Sequence, residues 1–313
     1  MYKMLVLDLD GTLLDDYKEI PMANIEAINK LYQEFGIIPV IATARPLEVA
    51  RYIANQGGDA FQSYIIATNG AILMDIQNEK YLINESLRPE QIRSLIDVCK
   101  TNGLEYEFMT TKCEVADSKY SYRRVVDPMY DNMGVPFNYQ SDLEEYISNI
   151  QDSIPLFAVN GTEEELKECY SKLASIPGLQ ISKQCTRTTP EIEGKIETLA
   201  YHDIMREGVT KASAIEKLAH HLGIKKEEII AIGDGGNDVE MLQVAGLKIA
   251  MKNASPALKE IADIITPIDN NAGGVGRFLN ILYRQLQNRQ TPDERVKERL
   301  GELESIEGEE PDL

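Results

Sequence analysis

The sequence predicts an α/β protein: a doubly wound parallel sheet, Rossmann-like, with an α+β domain inserted into it. Three observations carry this. Short apolar runs alternate with amphipathic helical patterns from the N-terminus to about Ala67. The same rhythm returns after about Met205 and runs to Leu286. Between about Asn84 and Met205 it gives way to shorter strands and tyrosine-rich loops.

In the first stretch the run Lys3 to Leu9 reads as a strand buried on both faces, followed by helix Ala23 to Phe35, strand Ile37 to Ala42, helix Leu47 to Asn55 and strand Tyr64 to Ala67. Right-handed crossovers would make these strands parallel. In the insertion, helices are expected at Pro89 to Thr101, Asp142 to Asn149 and Glu163 to Ala174, and strands at Glu105 to Met109, Cys113 to Asp117, Pro155 to Val159 and Leu179 to Ser182. The late stretch reads as helix Thr210 to Leu222, strand Glu228 to Ile232, helix Val239 to Ala245, strand Leu247 to Ala250, helix Pro256 to Ala262, strand Asp263 to Thr266 and helix Gly276 to Leu286. The expected domains are therefore a core of residues 1–83 and 206–286, an insertion of residues 84–205 and a charged tail of residues 287–313. The tail carries a capping-box start at Thr291-Pro292-Asp293-Glu294 and reads as a solvated helix with a frayed acidic end.

Composition narrows the partners. A formal net charge of -19 argues against nucleic acid or an anionic membrane, because phosphate would be repelled at long range. A small anion can still bind where a metal, a lysine and backbone amides gather locally. Cys99, Cys113, Cys169 and Cys185 show no paired spacing, and the sequence has neither a secretory signal pattern nor a long apolar span. A reduced, cytoplasmic protein, monomeric or homodimeric, is expected.

The chemistry is concentrated where strands should end. The first strand runs into Asp8-Leu9-Asp10-Gly11-Thr12, two close carboxylates with a turn glycine and a hydroxyl. The second ends in Thr43-Ala44-Arg45, the third in Thr68-Asn69-Gly70-Ala71, and a late strand in Gly233-Asp234-Gly235-Gly236-Asn237-Asp238; Lys211 opens a late helix. Carboxyl edges of open α/β sheets are where ligands bind. Asp8 and Asp234 on separate strands suit one hard cation, and an all-oxygen set favours Mg²⁺. Thr43, Lys211 and amides near Ala44 are the donors a phosphoryl group needs. This points to phosphoryl transfer through a carboxylate nucleophile, Asp8. Asp10, two residues on along a strand, would point the same way as Asp8 and exchange a proton with the leaving oxygen.

Asp8-Leu9-Asp10-Gly11-Thr12, Thr43, Lys211 and Gly233-Asp234 with Asn237-Asp238 resemble the four motifs of the haloacid dehalogenase-like superfamily. Within it, Thr68-Asn69-Gly70-Ala71, the large insertion and Gly-Asp-Gly-Gly-Asn-Asp are similar to the Cof-type sugar-phosphate phosphatases. The likeness covers about Met1 to Leu286. It implies a Mg²⁺-dependent phosphatase of small phosphorylated metabolites, with Asp8 as nucleophile and metal ligand. Asp10 would be acid/base and a metal ligand through its backbone carbonyl, and Asp234 the third protein ligand. Thr43, Ala44 and Lys211 would hold the phosphoryl group and Asn237 would orient it. Asp238 would bind metal-bound water or the lysine.

Four departures stand out: Ala44 and Ala212 where glycine is usual, Asn270-Asn271-Ala272 where an acidic pair is common, and the long tail. If Ala44 required a positive φ, alanine would cost roughly 1 kcal/mol there. Arg45 reads as a structural ion-pair partner, and Asn69 either caps a turn or faces the site. Lys119-Tyr120-Ser121-Tyr122-Arg123-Arg124 reads first as a solvated loop packing its tyrosines, with contact to a substrate anion or sugar as the sharper alternative. Two other activities remain open: a phosphomutase of the same superfamily, and a phosphoacceptor signalling module.

Overall fold

The computed structural model describes residues 1–116, 136–182, 185–188 and 198–288. The basic cluster at Lys119 to Arg124 and the capping-box segment at Thr291 lie outside them. The strands, in chain order, are β1 (Met4–Leu7), β2 (Ile38–Ala42), β3 (Tyr64–Ala67), β4 (Ile72–Asp75), β5 (Lys80–Asn84), β6 (Glu105–Met109), β7 (Glu114–Ala116), β8 (Phe137–Tyr139), β9 (Leu156–Gly161), β10 (Leu179–Ile181), β11 (Cys185–Thr188), β12 (Thr198–Arg206), β13 (Ile229–Gly233), β14 (Leu247–Ala250) and β15 (Ile264–Ile265). They form two sheets, and the chain divides into two compact units. Among the described residues, one comprises residues 1–44, 50–82 and 210–288, the other residues 45–49 and those described between 83 and 209.

The first unit holds an eight-stranded sheet in the order β15-β14-β13-β1-β2-β3-β4-β5. β1 pairs in parallel with both β13 and β2, and β13-β14-β15 and β2-β3 continue in parallel. Every residue of β1 and β13 is buried, as the continuous apolar runs require of strands covered on both faces. The early chain winds from β1 to one side and the late chain from β13 to the other, so a topological switch point lies at the β1–β13 pair. Leu7 stands opposite Ile41 on one side and Ile232 on the other, which brings the carboxyl ends of three strands to one level. Helices Met22–Phe35 and Gly274–Gln287 pack together within this unit.

Sequence periodicity overlooked β4 and β5. β4 is an antiparallel partner of β3, and its turn to β5 passes through Glu79 at φ 48. A left-handed residue other than Gly or Asn leaves no turn signal in the sequence.

The second unit is an α+β layer whose sheet runs β10-β12-β9-β6-β7-β8, with β11 also on β12. Tyr106, Val159 and His202 lie opposite one another, as do Phe108, Phe157 and Ile204, giving one face to a core shared with helices Pro89–Asn102 and Glu163–Ala174. Tyr106 and Phe157 stack at 5.4 Å. The alternate positions, Glu107, Ala158 and Asp203, make up the opposite face. β12 is the longest strand and central, yet its sequence, Thr-Leu-Ala-Tyr-His-Asp-Ile-Met-Arg, hides it. The polar His202 and Asp203 occupy buried positions and break the apolar alternation. Among the described residues, Cys99, Cys113 and Cys169 are free thiols, and burial pushes the Cys99 thiol up to about 12. Among them too, no helix is long and apolar enough to cross a membrane.

Candidate active site

β1 stops at Leu7, two residues short of the strand expected from the sequence. Asp8 still donates its amide to the Ile232 carbonyl at 3.1 Å, after which the chain coils. Thr12 N donates to Leu9 O, Leu13 N to Asp8 O and Leu14 N to Leu9 O. Asp10 therefore sits in a turn and not on a strand, so strand alternation does not set the direction of its side chain. Gly11 has φ +75, and a Cβ there would lie 2.4 Å from Asp234 Oδ2, so only glycine lets this turn close against the neighbouring strand end.

Asp8 and Asp234 follow strands that are level in the sheet. Lys211, at the start of helix Lys211–Leu222, is brought to them by Thr210, whose side chain caps that helix by accepting from Ser213 N. The helix start is in turn set by Gly70, at φ +103, where a Cβ would lie 2.2 Å from the Thr210 carbonyl. Lys211 Nζ donates to Asp8 Oδ1 at 2.6 Å and to Asp238 Oδ1 at 2.7 Å, with 1% of the lysine side chain exposed. Asp238 Oδ2 accepts from the amides of Asp234 at 3.0 Å and Gly235 at 2.9 Å. Asp238 thus meets the lysine, one of the two partners expected for it. Thr12 donates its hydroxyl to Asp234 Oδ1 at 2.9 Å.

One carboxylate oxygen from each of Asp8, Asp234 and Asp238 can be chosen so that all three lie within 4.8 Å of one another. Three carboxylates sharing one ammonium leave a net negative charge in a buried place, and the titration behaviour reflects it. Burial, then the charges of Asp238 and Asp234, hold Asp8 well above the usual carboxylate range although Lys211 pulls the other way. Burial chiefly, with Asp238 adding, pushes Asp234 up to about 6. Burial opposes the charge on Lys211, but Asp238 and Asp8 together raise its pKa above that of a free lysine. A hard dication bound by oxygen would cancel the excess negative charge, so the donor set fits Mg²⁺.

Thr43 is 1% exposed at the end of β2; its amide donates to Ile66 O and its carbonyl accepts from Asn69 N. Thr68 and Asn69 both take positive φ, 51 and 52, and strain of this kind gathers at functional sites. Ala44 is not among the described non-glycine residues with positive φ, so alanine carries no backbone penalty there. Asn237 is exposed, with Nδ2 3.5 Å from Asn69 Oδ1. The sequence signals thus converge on one sheet edge, and Asp10 Oδ1 accepts from Lys18 Nζ at 2.7 Å. Sequence reasoning assigned no role to Lys18 or Thr12. Thr12 lay inside the first motif; Lys18 had no signal, because only the hairpin that follows the turn brings it back.

Comparison with known proteins agrees with this geometry. The family profile described as haloacid dehalogenase-like hydrolase matches residues 5–279. The 5-amino-6-(5-phospho-D-ribitylamino)uracil phosphatase YitU of Bacillus subtilis is 28% identical over 282 residues, covering 88% of this chain and 96% of that protein. A haloacid dehalogenase-like hydrolase from Bacteroides thetaiotaomicron superposes with a TM-score of 0.75 at 26% identity, over 90% of this chain and 99% of the other. The subclass IIB sugar phosphatase BT4131 does so at 0.69 and 26%, over 89% and 98%. With the switch-point carboxylates and the family profile spanning both ends of the core sheet, the chain belongs to the haloacid dehalogenase-like hydrolases, and two of the three relatives named are phosphatases.

Proposed function

We propose that this chain is a Mg²⁺-dependent phosphomonoesterase of small phosphorylated metabolites, acting through phospho-Asp8. The observation that carries the reading is the buried Asp8 at the switch point, held by Lys211 and facing Asp234. Asp8 has little freedom to reorient, as an in-line nucleophile requires. Its oxygen attacks phosphorus, the bond from phosphorus to the ester oxygen breaks, and Asp10 gives that oxygen a proton. In the second step Asp10 takes a proton from water as the water attacks phospho-Asp8, releasing phosphate and restoring the carboxylate.

Asp8, Asp234 and the backbone carbonyl of Asp10 would hold the Mg²⁺. When bound, the ion supplies charge neutralisation for the phosphoryl oxygens and for the carboxylates. Lys211 and Thr43 donate to the phosphoryl oxygens, the Ala44 amide adds a third donor, and Asn237 orients the group. Asp238 keeps Lys211 charged and aimed.

A phosphorylated polyhydroxy chain is the substrate class we favour, because one relative cleaves a ribityl phosphate and one structural neighbour is a sugar phosphatase. A panel of phosphate esters assayed with Mg²⁺ and with chelator tests the reading. Turnover is expected for sugar and polyol phosphates, with release of free phosphate, and Asp8→Asn should lose roughly 10³-fold or more, about 4 kcal/mol of barrier. Persistence of turnover in Asp8→Asn or under chelator would overturn it, and isomerised ester in place of phosphate would turn it into a mutase.

A further inference from the structure

We infer that Asn69 is a positioning residue for Asn237. Its side-chain oxygen holds one N–H of the Asn237 amide and leaves the other to meet a phosphoryl oxygen. The inference rests on the reading of Asn237 as the group that orients the phosphate.

Thr68, Asn69 and Gly70 lead from β3 towards β4, and all three take positive φ, 51, 52 and 103. Reversing the chain does not demand this. The two strands close on the Ala67–Ile72 pair, and hairpin loops of that length are most often built around a type I turn, whose central residues have negative φ. A β-branched threonine in the left-handed region is a true outlier, and such strain persists only where its surroundings impose it. Here the loop meets all three segments that supply the phosphoryl donors. Asn69 N donates to Thr43 O at 3.0 Å, Gly70 sits where a Cβ would run into the Thr210 carbonyl just before Lys211, and the Asn69 side chain reaches Asn237.

Asn237 is exposed, in the single turn Gly236–Asp238, so its side chain has rotamers to lose before it can orient anything. Two neighbours restrain its amide. Gly235 lets Oδ1 fold back against the chain, since a Cβ there would lie 2.6 Å from that oxygen. Asn69 Oδ1 accepts from Asn237 Nδ2 at 3.5 Å, at the long end of hydrogen-bond range. Bonds at catalytic sites are often long before substrate arrives and tighten with it. An amide nitrogen carries two N–H groups, so one remains for the phosphate. Asparagine suits position 69 on both counts. It accepts the left-handed backbone more readily than other residues with a side chain, and its oxygen brings no charge to repel a phosphate.

The test measures the inhibition constant of inorganic phosphate against turnover of 4-nitrophenyl phosphate, with Mg²⁺ present. Asn237→Ala is expected to weaken phosphate roughly ten-fold, the loss of one hydrogen bond to a charged group. Asn69→Gly suits the backbone at φ 52 and keeps the amide bond to Thr43, and it should weaken phosphate roughly five-fold. The double variant should be no weaker than Asn237→Ala alone, because Asn69 acts through Asn237. Asn69→Ala should match Asn69→Gly in phosphate binding while its thermal midpoint is lower, since alanine keeps the backbone strain that glycine relieves. A purely structural role would instead make the two variants differ in binding as they differ in midpoint, and would overturn the inference. So would equal weakening by Asn69→Gly with and without Asn237, or no weakening by Asn69→Gly where Asn237→Ala still weakens. If Asn237→Ala itself leaves the constant unchanged, the reading of Asn237 falls and the inference with it, while turnover through Asp8 stands.

Discussion

Asp8 and Asp10 stand two residues apart, each bonded to a lysine, and they differ in nearly everything else. Asp8 is 6% exposed, shares Lys211 with Asp238 and faces Asp234. The Asp10 side chain is 39% exposed and its lysine comes from a surface hairpin. On the proposed reading, environment and not residue type divides the labour. A buried carboxylate crowded by other carboxylates is a place for a cation and a fixed nucleophile. A half-exposed carboxylate on a turn is open to solvent.

Removing each lysine breaks the comparison most sharply. Lys211→Met leaves Asp8 and Asp238 buried without their ammonium, and the expected loss is about 3 kcal/mol at alkaline pH. That loss should shrink as pH falls, because protonated carboxyls no longer need a countercharge. Urea unfolding of the metal-free protein at several pH values measures it, and a loss that did not vary with pH would contradict the assignment.

A smaller effect is expected at Thr12, which touches only the buried side. Thr12→Val keeps the volume and removes the hydroxyl that orients Asp234, at a cost of about 1.5 kcal/mol. The Mg²⁺ concentration for half-maximal activity should rise by roughly ten-fold, as for other groups that orient a metal ligand. Unchanged Mg²⁺ dependence would remove Asp234 from the metal site.

The buried side should also be visible in how Mg²⁺ stabilisation depends on pH. Because the Asp234 pKa is raised to about 6 in the folded chain, the metal-free fold holds a proton that the unfolded chain has given up. Its contribution to stability is present below the ordinary aspartate pKa and is lost as pH rises through about 6. Mg²⁺ binds the deprotonated form, so the gain in thermal midpoint on adding Mg²⁺ should grow by a few degrees across the same interval. A gain that stayed flat from pH 4 to 8 would count against these carboxylates as ligands.

Much of the buried side was legible in the sequence and little of the exposed side was. Met4 to Leu7 and Ile229 to Ile232 are unbroken apolar runs, so their strand ends, and Asp8 and Asp234 just beyond, could be located by pattern alone. Lys211 was marked by its place at the opening of a late helix. The orientation of Asp10 was not legible, because it depends on where β1 stops and on the coil from Leu9 to Leu14, a matter of single hydrogen bonds. Lys18 was hidden for the same reason: its position is set by a hairpin whose anchors, Asn253, Asn270 and Asn271, come from the other end of the chain. Within the insertion, β12 went unseen because burial of His202 and Asp203 defeats a reading based on hydropathy.

The smallest effect is the most discriminating. Lys18→Met removes an ion pair between half-exposed side chains, and such pairs contribute about 0–1 kcal/mol to stability. The substitution also leaves a non-glycine residue at φ 66, so the backbone strain is unchanged and gives no stability back. The thermal midpoint should therefore move by no more than a degree or two, far less than in Lys211→Met. A large destabilisation in Lys18→Met would mean that its pair with Asp10 holds the hairpin together instead of being held by it. The direction of support between Lys18 and the asparagine clamp would then reverse.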